Sequence, residues 1–230
     1  MSPSPLPSPR FAGRGIFITG TDTGVGKTVV TGLLARCLRE EGRSVITQKW
    51  IETGARGFSK DVSTHLRIMG KKRRDIKEYL PHVCPYTFKF ASSPHLAARL
   101  GRKKINAGRI KRSFRLLQKA HDFVIVEGTG GALVPYNNRR LMIDIAKELR
   151  LPVLIVAENR LGAINHALLT IEAVEHRGMK VLGVVFNNWR RAANKQIIDT
   201  NISYISLYHI VLSLTNLHLR CGSREGRKKG

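Results

Sequence analysis

A strand-like run, a glycine-rich turn and a helix start follow one another in Gly15-Ile16-Phe17-Ile18-Thr19-Gly20-Thr21-Asp22-Thr23-Gly24-Val25-Gly26-Lys27-Thr28. That order is the pattern of a phosphate-binding loop. Backbone N–H groups of Thr23, Gly24, Val25 and Gly26 and the opening turn of the helix converge on one spot and favour negative charge there. Lys27 is placed to reach terminal phosphates, and the Thr28 hydroxyl to ligate Mg²⁺. One feature departs from the usual spacing: Thr21 stands five residues before Gly26, where a glycine is expected, and Gly20 comes one residue early.

Two further segments end in chemistry. Asp122-Phe123-Val124-Ile125-Val126-Glu127-Gly128-Thr129-Gly130-Gly131 is an apolar run closed by a carboxylate and a glycine turn. A carboxylate there suits a hard cation facing the phosphates; the plainer reading is a strand-end surface acid. Gln48-Lys49 closes another apolar run, and a lysine in that place can neutralise charge on a moving phosphoryl group, or can merely be solvated. Asp61 opens a helix after a Gly-containing loop and has helix capping as its commonest role.

These residues need a scaffold that brings strand ends together. Apolar runs at 16–19, 45–49, 123–127, 153–157 and 181–186 read as strands buried on both faces. Helical patterns fall between them at 28–41, 61–69, 94–100, 106–120, 142–149 and 162–177. Ser93-Pro94 marks a helix start, and Gly42, Gly70 and Gly178 mark stops. The alternation predicts an α/β fold, a doubly wound, mostly parallel sheet of the P-loop NTPase kind in a single domain. Ligands in such folds bind at the carboxyl ends of the strands.

The chain of 230 residues, 42% apolar, is large enough for one core and has no apolar run long enough to span a membrane. Residues 1–13 read as a disordered Ser/Pro-rich tail without a secretory h-region, 14–216 as the domain and 217–230 as a basic tail. Cys37, Cys84 and Cys221 lack metal-ligand spacing and fit free thiols in a reducing cytosol. The net charge of +24 is spread over clusters such as Lys71-Lys72-Arg73-Arg74 and Arg102-Lys103-Lys104. The clusters are dispersed and lack interleaved aromatics, which argues against nucleic acid as the main partner.

The chain resembles the dethiobiotin synthetases. The resemblance is carried by Gly20-Thr21-Asp22-Thr23-Gly24-Val25-Gly26-Lys27-Thr28, Gln48-Lys49 with Glu52-Thr53-Gly54, Pro85-Tyr86-Thr87-Phe88, Ser93-Pro94-His95, Val126-Glu127-Gly128-Thr129-Gly130-Gly131, Arg160-Leu161-Gly162-Ala163-Ile164-Asn165-His166 and Gly183-Val184-Val185-Phe186-Asn187, in family order over about 14–190. The early Gly20 fits that family's longer loop. The resemblance implies a cytoplasmic homodimer that uses ATP and Mg²⁺ to close a ring from 7,8-diaminononanoate and CO₂. It implies Lys27 and Lys49 as catalytic groups, and Thr28, Asp61 and Glu127 as metal ligands. Thr23, Gly24, Val25, Gly26, Lys27, Thr28 and Asn187 would hold nucleotide. Thr23, Lys49, Thr53, Gly128, Gly162, Ala163 and Asn165 would touch substrate, the last three from a partner subunit. His166 reads as a residue that packs its own helix. DNA-partitioning ATPases of similar fold carry a lysine near the start of the loop where Asp22 stands here. After about Arg191 the match fades, and the family's further strand and Pro-containing loop are not evident.

Overall fold

The computed structural model describes residues 14–188, 195–206 and 211–213. The tails at 1–13 and 217–230 lie outside them, as does Cys221. Six strands form one sheet: β1 (Gly15–Gly20), β2 (Val45–Lys49), β5 (Phe123–Gly131), β6 (Val153–Glu158), β7 (Val181–Asn187) and β8 (Val211–Ser213). Their spatial order is β2-β5-β1-β6-β7-β8, and every pairing is parallel. β5 therefore sits between β1 and β2, although 73 residues of chain separate the end of β2 from its start. β3 (Ile51–Thr53) and β4 (Tyr86–Phe88) make a separate parallel pair.

Parallel strands need crossover connections, and the helices supply them. They are α1 (Lys27–Glu40), α2 (Lys60–Ile68), α3 (Leu80–Val83), α4 (Pro94–Leu100), α5 (Ala107–Ala120), α6 (Met142–Glu148), α7 (Ala163–Glu175) and α8 (Lys195–Ser206). Alternation along β1 shows why both faces are apolar. Ile16 and Ile18 pack with Val30, Leu34 and Leu38 of α1, whereas Phe17 on the other face joins Ile110, Phe114 and Leu117 of α5 and residues of α6 and α7. Phe17 also stacks on the fully buried Trp50, with ring centroids 5.1 Å apart.

The predicted strands and helices are present within a residue or two, except that β5 runs on through Gly131. β8, paired with β7, is a strand that the sequence did not reveal. Ser93 precedes α4, with Pro94 in its first turn, but the Ser93 side chain makes no cap bond. Of the expected free thiols, Cys84 is one, half-buried among the described residues. No helix among the described residues is long and apolar enough to cross a membrane.

Candidate functional site

The loop after β1 is shaped by glycine. Gly26 has φ 101°, and a Cβ there would lie 2.3 Å from Asn187 Nδ2, so only glycine closes the turn onto β7. Asn187 donates to the Val25 carbonyl at 3.0 Å, tying the loop to the end of β7. A Cβ on Gly20 would lie 2.7 Å from the Asp22 carbonyl oxygen, a backbone atom that cannot give way, which gives the early glycine its reason. Lys27 folds back and donates to the Asp22 carbonyl at 2.7 Å. The Asp22 carboxylate accepts from Thr23 N–H at 2.6 Å.

Strand register then sets the charged pair. Lys49 and Glu127 are lateral neighbours in the parallel β2–β5 pairing, so their side chains leave the sheet side by side. Neither is a solvated strand-end residue: Lys49 is 4% and Glu127 1% exposed. Lys49 Nζ donates to Glu127 Oε1 at 2.8 Å and to the Gly128 carbonyl at 2.9 Å. It also pairs with Asp61 Oδ2 at 2.7 Å. The Thr28 hydroxyl lies 3.2 Å from Asp61 Oδ1 and 3.0 Å from Glu127 Oε1.

Asp61 does not cap its helix. Ser59 holds that place, accepting from Val62 N–H at 3.0 Å, and leaves Asp61 to face the site from the first turn of α2. The buried Glu52 carboxylate secures this start by accepting from the Ser59 hydroxyl and from Lys60 N–H, the latter at 2.8 Å. One turn on from Asp61, His65 Nε2 lies 2.7 Å from Glu127 Oε2. In the sequence Glu52 stands only as part of the family match, with no role, and His65 does not stand out. For His65 a signal existed, since a histidine four residues after a site aspartate shares its helix face.

Burial and opposite charge compete here. Burial pushes Lys49 down, but the Glu127 and Asp61 carboxylates outweigh it and hold the ammonium above its ordinary value. Burial likewise raises the Glu127 carboxyl, yet Lys49 and the hydrogen bond from His65 keep it well below the usual carboxylate range. For Lys27 the balance tips the other way: burial, then repulsion from Lys49, outweigh the Glu127, Asp61 and Asp22 carboxylates and lower it to about 8.

The other expected site residues lie apart from this cluster or on its margin. Thr53 ends β3, half-buried, beside Gly54, whose N–H donates to the Phe90 carbonyl at 3.1 Å. Thr23 is exposed on the loop, and its hydroxyl lies 3.5 Å from where a Gly130 Cβ would be. Gly162 caps α7 at φ 83°, with Ala163 buried and Asn165 exposed behind it. The His166 carbonyl accepts from Thr170 one turn on, while its ring Nδ1 lies 3.4 Å from Nη2 of Arg160, in the loop before the helix.

The donor set fits Mg²⁺. Two carboxylates and a hydroxyl converge, all hard oxygens, and no closed cage of three or more His, Cys, Asp or Glu occurs among the described residues. A cation completed by phosphate oxygens and water needs no such cage.

Fold and loop together define a P-loop nucleotide-binding protein, and the AAA domain family model matches residues 14–217. The chain belongs to the ATP-dependent dethiobiotin synthetase family. It is 42% identical to a dethiobiotin synthetase BioD of Chlorobaculum tepidum over 188 residues, 82% of this chain and 78% of the relative. It is also 42% identical to a BioD 2 of Haemophilus influenzae over 177 residues, 77% of this chain and 92% of the relative. A ParA family ATPase from Chlorobium tepidum shares the fold, with a TM-score of 0.50 at 12% identity over 94% of this chain and 93% of that one.

Proposed function

We propose that this chain is an ATP-dependent dethiobiotin synthetase of biotin biosynthesis, which closes the ureido ring of dethiobiotin from 7,8-diaminononanoate and CO₂. One amine of the diamine adds to CO₂ and loses a proton, giving a carbamate. The carbamate oxygen attacks the γ-phosphorus of ATP, ADP leaves, and a carbamic–phosphoric anhydride results. The second amine attacks the anhydride carbon, the C–O bond to phosphate breaks, and the ring closes with release of phosphate and a proton.

The observation that carries this reading is the buried Lys49, fixed at the strand end beside the loop by Glu127, Asp61 and the Gly128 carbonyl. Carbamate and triphosphate are both anionic, and bringing them together in a dry site requires a cation fixed in advance. Lys49 would face the carbamate and the moving phosphoryl group, with Lys27 on the terminal phosphates. Thr28, Asp61 and Glu127 would hold Mg²⁺, which supplies charge neutralisation when bound. Thr23 and Thr53 would touch the diamine or carbamate. Asn187, already bonded to the loop, would turn its remaining polar edge to adenine.

The α7 start, Gly162-Ala163-Ile164-Asn165, would receive the substrate carboxylate of the neighbouring subunit in a cytoplasmic homodimer. Leu161, 78% exposed at its edge, gives such a subunit an apolar contact. The test is ADP release with and without diaminononanoate and bicarbonate. Turnover should depend on both. DNA-stimulated hydrolysis with no response to the diamine would overturn the reading.

A further inference from the structure

The second oxygen of Glu127 is held by a residue to which the reaction above gives no task. Glu127 Oε1 already receives Lys49 at 2.8 Å and the Thr28 hydroxyl at 3.0 Å. A carboxylate fixed through one oxygen still turns about its last torsion, which is broad and roughly two-fold. His65 closes that freedom, lying 2.7 Å from Oε2 while wholly excluded from solvent. Its other ring nitrogen, Nδ1, is buried with no hydrogen-bond partner among the described residues. A proton on Nδ1 would be a buried donor without an acceptor, which is costly. The ring proton therefore sits on Nε2 and is donated to Glu127.

The placement links two elements. Asp61 and His65 are four residues apart and lie on one face of α2. The helix thus sends a carboxylate to Lys49 and Thr28, and a histidine to the carboxylate from β5. Its start is clamped by Ser59 and Glu52.

We propose that His65 is a positioning residue: it orients the Glu127 carboxylate so that Oε1 faces the Mg²⁺·ATP position, and it fixes the spacing between Glu127 and Asp61. This rests on the reading of Glu127 as a Mg²⁺ ligand. A hydrogen-bond partner behind a metal ligand commonly sets metal affinity or activity by about 10- to 100-fold. A histidine that only filled space would change stability and leave the metal requirement alone.

The experiment compares His65→Gln, His65→Asn, His65→Leu and Glu127→Gln with the parent. Two quantities are read: Mn²⁺ affinity by electron paramagnetic resonance with a non-hydrolysable ATP analogue, and the Mg²⁺ concentration giving half-maximal turnover. Gln carries its amide nitrogen where Nε2 stood; Asn is too short to reach Oε2; Leu has no donor. Asn and Leu should weaken Mn²⁺ binding and raise the Mg²⁺ requirement by about tenfold or more, and Gln should restore both. Thermal unfolding identifies folded variants, and if Leu does not fold, the contrast of Gln with Asn decides. Equal metal dependence in Gln and Asn, or loss of folding in all three variants, makes His65 structural and overturns the proposal. If Glu127→Gln leaves metal binding unchanged, the Mg²⁺ reading of Glu127 fails and this inference falls with it. If only Glu127→Gln shifts it, the inference about His65 alone is wrong.

Discussion

At the scale of residues, Lys49 has two tasks that a single variant separates. Without ligands it holds Glu127 and Asp61 together. Lys49→Ala leaves a buried carboxylate without its cation, a change that costs about 3–5 kcal/mol. Thermal unfolding without ligands should show that loss, and added Mg²⁺·ATP should recover part of it. In catalysis the ammonium matters most as charge gathers between carbamate and phosphate. Its removal should lower kcat by about two orders of magnitude or more, with ATP affinity changed far less. Normal turnover in Lys49→Ala would remove Lys49 from the mechanism. Lys27 belongs to the loop itself, so Lys27→Ala should raise the ATP dissociation constant as well as slow transfer, measurable by nucleotide binding and steady-state kinetics. Glu127→Gln keeps the shape but discards the charge that balances Lys49. It should retain the fold by circular dichroism and lose most turnover at limiting Mg²⁺.

Among the elements, α2 carries Asp61 and His65 into the site, and buried polar groups hold its start. Ser59 is fully buried, caps Val62 N–H and donates to Glu52. Ser59→Ala should cost about 1–2 kcal/mol in denaturant unfolding, the range for a lost N-cap, and should reduce turnover because Asp61 and His65 move with the helix. Unchanged stability would mean that Glu52 alone holds the helix start. This element also shows where sequence legibility ended. β1, β2 and β5 were readable because strands buried on both faces leave continuous Val/Ile/Phe runs, and α1 because Val30, Leu33, Leu34 and Leu38 repeat at helical spacing. Lys49 and Glu127 were readable as polar residues at the ends of such runs. Register, which makes them neighbours, leaves no local mark. β3 and β4, three residues each, are too short for a periodic pattern. Ser59 and Glu52 are ordinary polar residues until folding buries them together.

For the molecule as a whole, 40 Lys and Arg stand against 16 Asp and Glu. Like charge in a compact body lowers stability, and salt screens it. Raising ionic strength from near zero to about 0.3 M should therefore raise Tm, while ATP affinity falls because the same screening weakens attraction of an anion. A Tm that drops with added salt would show that specific ion pairs outweigh the net repulsion. The order β2-β5-β1 has a different consequence, one of timing. β1 and β2 leave the ribosome before β5, but they never touch in the finished sheet; each must wait for β5. During synthesis of the intervening residues, the strands GIFITG and VITQK have no lateral partner in the sheet. Unpaired strand edges template association with other chains, and sheets closed by distant segments form slowly. The interval before β5 arrives thus leaves two strand edges open in the nascent chain, and the loop after β1 remains without its Glu127 wall until that interval ends.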